Sequence, residues 1–274
     1  MKKYFSTHYS LLALYLVFLG ACSFAQPQSA KKEYQPQVGQ EGKDVIWVPT
    51  PEALVEKMLD MAKVTAKDSV IDLGSGDGRT VIAAAKRGAR AHGIEYNPDM
   101  VELSKRNAAK AGVSDRASFA KADLFESDLS QATVITMFLL PDINLRLRPK
   151  LLDMKPGIRV VSNSFTMGDW KADETATVKD GCVSYCTAYL WIVPAKVEGT
   201  WKLPQGELSL KQTYQTFSGS MSSGGTTTPI TDTTLSGDQI SFTARGVKFS
   251  GHVRGNTIEG DSGNGKWRAS RVGG

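Results

Sequence analysis

A glycine-rich loop between an apolar segment and an alanine-rich segment carries the clearest chemical signal in the sequence. The loop runs from Asp72 to Gly78 and has glycine at every second position, at Gly74, Gly76 and Gly78. The apolar residues before Asp72 predict a β-strand, and the residues after Arg79 predict a helix. Glycine lets a ligand approach the main chain closely. The N–H groups at the start of the helix can bind an anionic group, so the pattern predicts a binding site.

The spacing of the glycines separates this loop from two common phosphate-binding loops. Dinucleotide-binding folds use Gly-x-Gly-x-x-Gly, but Arg79 stands where the third glycine belongs, and the Gly-Lys-Ser/Thr of a P-loop is absent. A tight turn without a ligand is the structural alternative. The acidic Asp72 before the glycines, between a strand and a helix, favours the binding interpretation.

Two further acidic residues follow predicted strands. Glu95 ends the second strand, 23 residues after Asp72. Doubly wound nucleotide sites place an acceptor for the ribose hydroxyls at a spacing of roughly 20 residues. A carboxylate suits this task because it only accepts hydrogen bonds. Asp123 follows the third strand and precedes Leu124. The alternatives are a surface glutamate at Glu95 and a helix cap at Asp123.

The elements that would position these residues alternate between strands and helices. Further strands are predicted over residues 89–95, 118–122, 133–139 and 158–165, with helices between them. A last strand pair is predicted within residues 174–194. Thr50 is expected to cap the first helix, before Pro51. This order predicts an α/β fold with a doubly wound, mostly parallel sheet.

The Asp-Leu-Gly-Ser-Gly-Asp-Gly loop, together with Ala122-Asp123-Leu124, resembles the motifs of the Rossmann-like (class I) S-adenosylmethionine (SAM) methyltransferases. The resemblance implies that SAM is the cofactor, that Asp123 accepts a hydrogen bond from the adenine amine, and that Leu124 packs on the adenine ring. The implied cofactor-binding residues are Asp72, Gly74, Ser75, Gly76, Asp77, Gly78, Glu95, Asp123 and Leu124.

The stretches 136–147 and 157–162 resemble a narrower group, the non-SET protein-lysine methyltransferases, which include the telomeric-silencing-disruptor histone enzymes and mitochondrial lysine methyltransferases. The resemblance implies a transferase that N-methylates lysine in a protein. The histone enzymes carry asparagine where Thr136 stands, beside the reacting groups. Aromatic faces suit a cationic transition state and product, so the candidates for the catalytic wall are Trp47, Phe138 and Phe165. Thr136 is a further catalytic candidate, because of its place in the motif. Plain core packing is the alternative for the aromatic residues, with a hydrophobic staple for Trp47.

Other functions are weighed against this one. The net charge is +5, but the basic residues are scattered, and the Asn/Asp-Pro-Pro-Tyr/Phe motif of amino-methylating nucleic-acid enzymes is absent, so a nucleic-acid partner is not expected. Metal-ligand spacing is also missing, so no metal is expected. A small-molecule methyltransferase remains the enzymatic alternative. An exported nucleoside-type binding protein that keeps the fold without turnover is the non-enzymatic one.

The N-terminal residues predict export. Lys2 and Lys3 precede a short apolar run, which is typical of a signal peptide over residues 1–25. Leu-Gly-Ala-Cys, ending at Cys22, resembles a bacterial lipobox; cleavage after Ala25 is the alternative. The expected protein is periplasmic or a membrane-anchored lipoprotein of a bacterium, touching the membrane only through a lipid at Cys22. Residues 26–43 predict a flexible tether.

The remaining chain divides by composition. Residues 44–196 are assigned to the methyltransferase domain, and residues 197–274 predict a small antiparallel β barrel or sandwich with a flexible loop at 218–228. One of its strand-like runs covers 207–217. Cys182 and Cys186 would lie about 13 Å apart on a straight strand but could pair across a turn, so a disulfide and two separate thiols both remain open.

Overall fold

The computed structural model describes residues 1–4 and 33–273, and residues 34–274 form one compact unit. Cys22 and nearly all of the predicted signal peptide lie outside the described residues. Among the residues that are described, no helix is both long enough and apolar enough to cross a membrane.

A seven-stranded sheet forms the first half of the compact unit. Its strands are β1 (Ser69–Leu73), β2 (Arg90–Glu95), β3 (Ala117–Lys121), β4 (Val134–Met137), β5 (Arg159–Asn163), β6 (Glu174–Thr177) and β7 (Thr187–Ile192). They lie in the order β3-β2-β1-β4-β5-β7-β6, with β1 to β5 parallel and β7 antiparallel to both of its neighbours. The predicted doubly wound, mostly parallel sheet with a terminal hairpin is confirmed.

Helices cover both faces of this sheet. They are α1 (Glu52–Met61), α2 (Arg79–Lys86), α3 (Pro98–Lys110) and α4 (Pro141–Leu152). Val70 of β1 packs in a core with α1, α2 and α3, whereas its neighbour Ile71 packs in a second core with α4. This follows from strand geometry, because successive side chains point to opposite faces. The strand order reverses between β1 and β4, which is where such sheets bind ligands.

The predicted cap of α1 is wrong. The helix begins at Glu52 after Pro51, without a side-chain cap. The Thr50 hydroxyl instead accepts a hydrogen bond from Asn163 Nδ2 at 3.2 Å. Thr50 is buried against the end of β5, and its carbonyl accepts a bond from Arg79, so tertiary contacts determine its role.

A nine-stranded antiparallel sheet forms the second half. Its strands are β8 (Gly199–Leu203), β9 (Gly206–Thr213), β10 (Thr216–Ser223), β11 (Thr226–Pro229), β12 (Thr231–Ser236), β13 (Gln239–Ala244), β14 (Val247–Arg254), β15 (Thr257–Ser262) and β16 (Gly265–Arg271). Strand β12 returns to β10, where Thr233 Oγ1 donates to the Phe217 carbonyl. The sheet therefore curls into a barrel filled by side chains such as Trp201 and Phe242.

Two predictions within the barrel are wrong. The run 207–217 is two strands, because the chain turns at Tyr214, whose φ is +54°. The predicted loop at 218–228 forms β10 and β11. Phe217 and Met221 are buried in the barrel. A few apolar residues are therefore enough to anchor a strand in which small polar residues occupy the positions between them.

The barrel packs directly on the first sheet. Tyr214 stacks on Trp170 with ring centroids 6.0 Å apart, and Gln215 Nε2 donates to the Lys171 carbonyl at 2.7 Å. The Ala195 N–H donates to the Gly237 carbonyl at 2.8 Å. A stacked ring pair and hydrogen bonds thus join the two sheets.

Part of the predicted tether is folded. Residues 39–47, here named the N-terminal hairpin, are closed by hydrogen bonds from Gly39 N–H to the Trp47 carbonyl and from Trp47 N–H to the Gln40 carbonyl, both 2.9 Å. This segment lacks an apolar period, so its order comes from backbone pairing and from contacts with the main sheet.

Candidate active site

A cavity opens at the carboxyl ends of the parallel strands, beside the crossing point between β1 and β4. The N-terminal hairpin, the loops after β1 to β5, and Tyr185 before β7 line it. The predicted site residues among its lining are Trp47, Asp72, Gly74, Ser75, Gly76, Asp77, Glu95, Asp123, Leu124, Phe138 and Phe165. The predicted residues Gly78 and Thr136 are not part of the lining.

The loop after β1 needs glycine for two physical reasons. Gly74, Gly76 and Gly78 have φ values of +74°, +54° and +83°, which side chains with a Cβ rarely adopt. A Cβ at Gly76 would lie 2.7 Å from Trp47 Nε1, and one at Gly78 would lie 2.8 Å from the Phe119 ring. Gly78 therefore serves tight packing below the loop, whereas Gly76 passes directly under Trp47.

Glu95 is held by the backbone. Its Oε2 accepts from the Gly76 N–H and its Oε1 from the Asn97 N–H, both at 2.9 Å. These bonds fix the carboxylate between the glycine loop and the start of α3. Each oxygen retains a further lone pair, so the group can still accept from a ligand's hydroxyls.

Asp72 is a buried acid at the floor of the cavity. Thr136 Oγ1 donates to Asp72 Oδ1 at 2.6 Å. Burial raises the pKa of Asp72 to about 7; the hydrogen bond from Thr136 opposes this rise, and the nearby charge of Glu95 adds to it. Thr136 was predicted beside the reacting groups, but its side chain is fully buried under Asp72. It positions Asp72 and is not part of the cavity lining.

Asp77 ties the glycine loop to the preceding segment. Arg79 Nη2 lies 2.6 Å from Asp77 Oδ2, and Arg79 Nη1 donates to the Thr50 carbonyl at 2.9 Å. From the other side, Asn107 Nδ2 donates to the Asp77 carbonyl at 2.9 Å. Arg79, which breaks the dinucleotide pattern, is therefore a structural clamp of the loop.

Asp123 forms an ion pair with Lys43, which the sequence analysis did not predict. Lys43 Nζ lies 2.5 Å from Asp123 Oδ2 and 4.8 Å from the centroid of the Tyr96 ring. Asp123 Oδ1 accepts from the Phe125 N–H at 2.9 Å, which is the local turn of the capping alternative. The Lys43 hydrogen bond, followed by that of Phe125, lowers the pKa of Asp123.

Three aromatic rings, here named the aromatic group, line one side of the cavity. The Phe138 centroid lies 6.0 Å from that of Phe165 and 5.1 Å from that of Tyr185, and the Phe165 and Tyr185 centroids are 6.1 Å apart. Buried Asn144 of α4 donates to the Phe165 and Thr166 carbonyls, both at 3.3 Å, and so fixes the backbone at Phe165.

Tyr185 was not predicted from the sequence. It lies between Cys182 and Cys186, which form a disulfide with Cα atoms 5.8 Å apart. The turn between β6 and β7 brings the two cysteines together, so the disulfide is the correct one of the two alternatives. An aromatic residue between two closely spaced cysteines was the available sign.

The residues present fit SAM. The backbone of the glycine loop and the carboxylates of Asp72, Glu95 and Asp123 line one part of the cavity, here named the cofactor cradle. The Ser75 hydroxyl is buried and has no hydrogen-bond partner among the described residues. In that same part of the chain, no group of three or more His, Cys, Asp and Glu residues could hold a metal ion.

Comparisons with known proteins find methyltransferases that resemble this chain. The model of the ANTKMT methyltransferase domain matches residues 72–174. A protein-lysine N-methyltransferase of Saccharolobus islandicus is 46% identical over 152 residues, which cover 54% of this chain and 94% of that protein. The adenine nucleotide translocase lysine N-methyltransferase of Mus musculus is 38% identical over 104 residues, 37% of this chain and 45% of that protein, so the match spans less than half of the mouse relative.

A solved methyltransferase structure shows the same fold and holds a ligand related to SAM. The RNA methyltransferase from Salinibacter ruber, in complex with S-adenosyl-L-homocysteine, is 46% identical, with a TM-score of 0.52. The match covers 55% of this chain and 96% of that one. Together with the archaeal relative, which is matched over nearly its whole length, it establishes the cofactor as SAM. The chain belongs to the class I SAM-dependent methyltransferases, in the family of the protein-lysine N-methyltransferases that it matches.

Proposed function

We propose that this protein transfers the methyl group of SAM to the side-chain amine of lysine in an acceptor protein. The observation that carries the proposal is the aromatic group beside the cofactor cradle, since aromatic faces attract cations and the methylated amine is one. The relatives that are lysine N-methyltransferases support the same acceptor.

The reaction depends more on alignment of the acceptor amine than on activation of the methyl group. When bound, SAM supplies a methyl group that its sulfonium has already activated. The glycine loop, Glu95 and Asp123 would hold the cofactor, and Asp72 would present its carboxylate from below. The aromatic group would orient the neutral amine and exclude water, and the amine's proton would leave to solvent before attack.

A labelling experiment tests the acceptor. The protein is incubated with methyl-labelled SAM and an envelope protein extract, and the label is mapped by mass spectrometry. We expect label on lysine, and we expect Phe138→Ala to lower turnover while leaving SAM affinity nearly unchanged, because Phe138 belongs to the aromatic group. Asp72→Ala combined with Glu95→Ala is the control that removes cofactor binding. Label confined to lipid or small molecules would contradict a lysine acceptor.

RNA is the second candidate acceptor, because the RNA methyltransferase from Salinibacter ruber and the archaeal lysine enzyme are equally similar to this chain, at 46% identity. A parallel incubation with total RNA distinguishes the two. The scattered basic residues and the missing amino-methylation motif favour protein, so we expect label that survives ribonuclease and is lost with protease.

We also propose export and a lipid anchor at Cys22. The charged start, the apolar run and the lipobox-like Leu-Gly-Ala-Cys support this. Intact-mass analysis of the membrane fraction should find an acyl adduct on Cys22, and Cys22→Ser should abolish it. A mature protein that starts at Gln26 would contradict the anchor.

A further inference from the structure

The loop between β6 and β7 is closed at two levels. Val178 N–H donates to the Cys186 carbonyl at 2.9 Å, and the disulfide joins Cys186 to Cys182 above it. Tyr185 lies inside the disulfide ring with φ of +56°, which is uncommon for a residue with a large side chain. Such a conformation persists where its surroundings over-determine it, and here the adjacent disulfide does so.

The loop carries the Tyr185 ring to two rings from other strands. Phe138 follows β4 and Phe165 follows β5. Tyr185 precedes β7, which is antiparallel to β5 and therefore begins at the same edge of the sheet. Tyr185 is 43% exposed and lines the cavity, while both phenylalanines are partly buried. It is therefore the outermost ring of the aromatic group, at the boundary between cavity and solvent.

The arrangement suits a methylated ammonium ion. A cation is attracted to an aromatic face within about 6 Å of the ring centroid. The three centroids lie within 5.1 to 6.1 Å of one another, so one cation over the group can be within reach of all three. Each added methyl group reduces the hydration of an ammonium without removing its charge, which favours an apolar, aromatic surface over water.

We propose that Tyr185, held by the Cys182–Cys186 loop, completes a binding site for the alkylammonium group of the acceptor. The inference rests on the proposed function, because it places the acceptor's nitrogen at the aromatic group. It adds that the disulfide positions a ring that touches the acceptor. The residues of the cofactor cradle lie on the loops after β1, β2 and β3, so opening the disulfide should affect the acceptor and spare SAM.

Binding of small probes tests this without knowledge of the acceptor. The full chain, oxidised and saturated with S-adenosylhomocysteine, is titrated with choline and with its neutral isostere 3,3-dimethyl-1-butanol, with binding followed by ligand-observed NMR. We expect choline to bind more tightly than the isostere. Tyr185→Ala should weaken choline binding between about twofold and thirtyfold, and Tyr185→Phe, which keeps the ring, should retain most of it.

Two further variants separate the ring from the loop. Val183→Ala changes a fully exposed residue of the same disulfide loop and should leave choline binding unchanged. The double variant Cys182→Ser with Cys186→Ser should weaken choline binding as Tyr185→Ala does, with S-adenosylhomocysteine affinity preserved. If the double variant does not fold, reduction of the native protein with dithiothreitol, checked by thermal unfolding, replaces it.

The outcomes distinguish this inference from the proposed function. Equal binding of choline and the isostere by the native protein, or unchanged choline binding in Tyr185→Ala, would overturn the site at Tyr185 even if lysine is methylated. Failure of the native protein to label lysine, with choline binding intact, would instead overturn the proposed acceptor. A higher acceptor KM in Tyr185→Ala, at unchanged SAM affinity, would support both.

Discussion

The surroundings of Asp72 oppose its charge. Its carboxyl is buried near Glu95 and Asp77, and hydrogen bonds from the hydroxyls of Thr136 and Thr80 offset this in part. The pKa therefore stands at about 7 in the folded chain, above the ordinary value of 3.8. The folded structure therefore favours the protonated carboxyl of Asp72 over its ionised form.

We expect the stability of the ligand-free protein to depend on the ionisation of Asp72. Because the folded pKa is raised, the stabilising contribution is fully present below about pH 3.8 and is lost as the pH rises through about 7. Asp72→Asn does not titrate, so its melting temperature relative to the native protein should increase from pH 4 to pH 8. Thermal unfolding across this range measures the difference. A constant difference would contradict the raised pKa.

Glu95 allows a sharper test of the cofactor site. Glu95→Ala removes the acceptor of the Gly76 and Asn97 N–H groups as well as the predicted acceptor of the ribose hydroxyls. Hydrogen bonds to charged groups contribute about 1.5–3 kcal/mol, so we expect SAM affinity to fall about tenfold or more. Calorimetric titration measures the affinity. The control is Glu102→Ala on the exposed side of α3, and an equal affinity in both variants would remove Glu95 from the site.

At the scale of elements, the N-terminal hairpin is joined to the loop after β3 by an ion pair. Its Lys43 reaches Asp123 through a partly exposed ion pair. Such pairs contribute about 0–1 kcal/mol and are screened by salt.

We expect Lys43→Met to speed SAM dissociation by up to about fivefold, because the hairpin then opens more easily. Stopped-flow displacement with excess S-adenosylhomocysteine measures the rate, and added salt should reproduce part of the effect in the native protein. Lys67→Met, on an exposed residue before β1, is the control. A rate that Lys43→Met leaves unchanged would show that the ion pair does not retain the cofactor.

The sequence predicted the elements whose burial follows a regular pattern. The alternating strands and helices up to residue 165 and the cavity residues Asp72, Glu95 and Asp123 were predicted because apolar runs and acids at strand ends are local signals. Strands β10 and β11 were not, because their serine, threonine and glycine residues also suit a loop.

Residues whose position depends on distant contacts could not be predicted in the same way. Lys43 reaches the site through backbone pairing in a segment without apolar periodicity, and Tyr185 through a disulfide whose pairing the spacing leaves open. Thr136 was assigned to the reacting groups from its place in a motif. Its burial under Asp72 follows from the register of β4 against β1, in which the two residues are partners.

For the whole molecule, the barrel and the methyltransferase sheet share aromatic packing. Tyr214 of the barrel stacks on Trp170. Arg148 of α4 lies over the Tyr214 ring, with its Cζ atom 5.5 Å from the ring centroid. The domain boundary between residues 196 and 197, which we predicted from composition, stays a prediction.

We expect Tyr214→Ala to destabilise the protein by about 1–3 kcal/mol through loss of the stacked pair and its buried area. SAM affinity should not change, because Tyr214 is not part of the cavity lining. Chemical denaturation and calorimetry measure the two quantities. Val272→Ala, at an exposed apolar residue of the barrel, is the control, and an equal loss of stability in both would show that the stack contributes nothing.

The position of Trp47 over the glycine loop also gives the molecule an optical reporter. Of its five tryptophans, Trp170, Trp191 and Trp201 are fully buried and Trp267 nearly so, whereas Trp47 is partly exposed and lines the cavity. Indole emission shifts with the polarity of its surroundings. A change in intrinsic fluorescence on adding cofactor would therefore arise at Trp47. Cofactor binding can then be followed in the unlabelled protein, with Trp47→Phe as the control that lacks this signal.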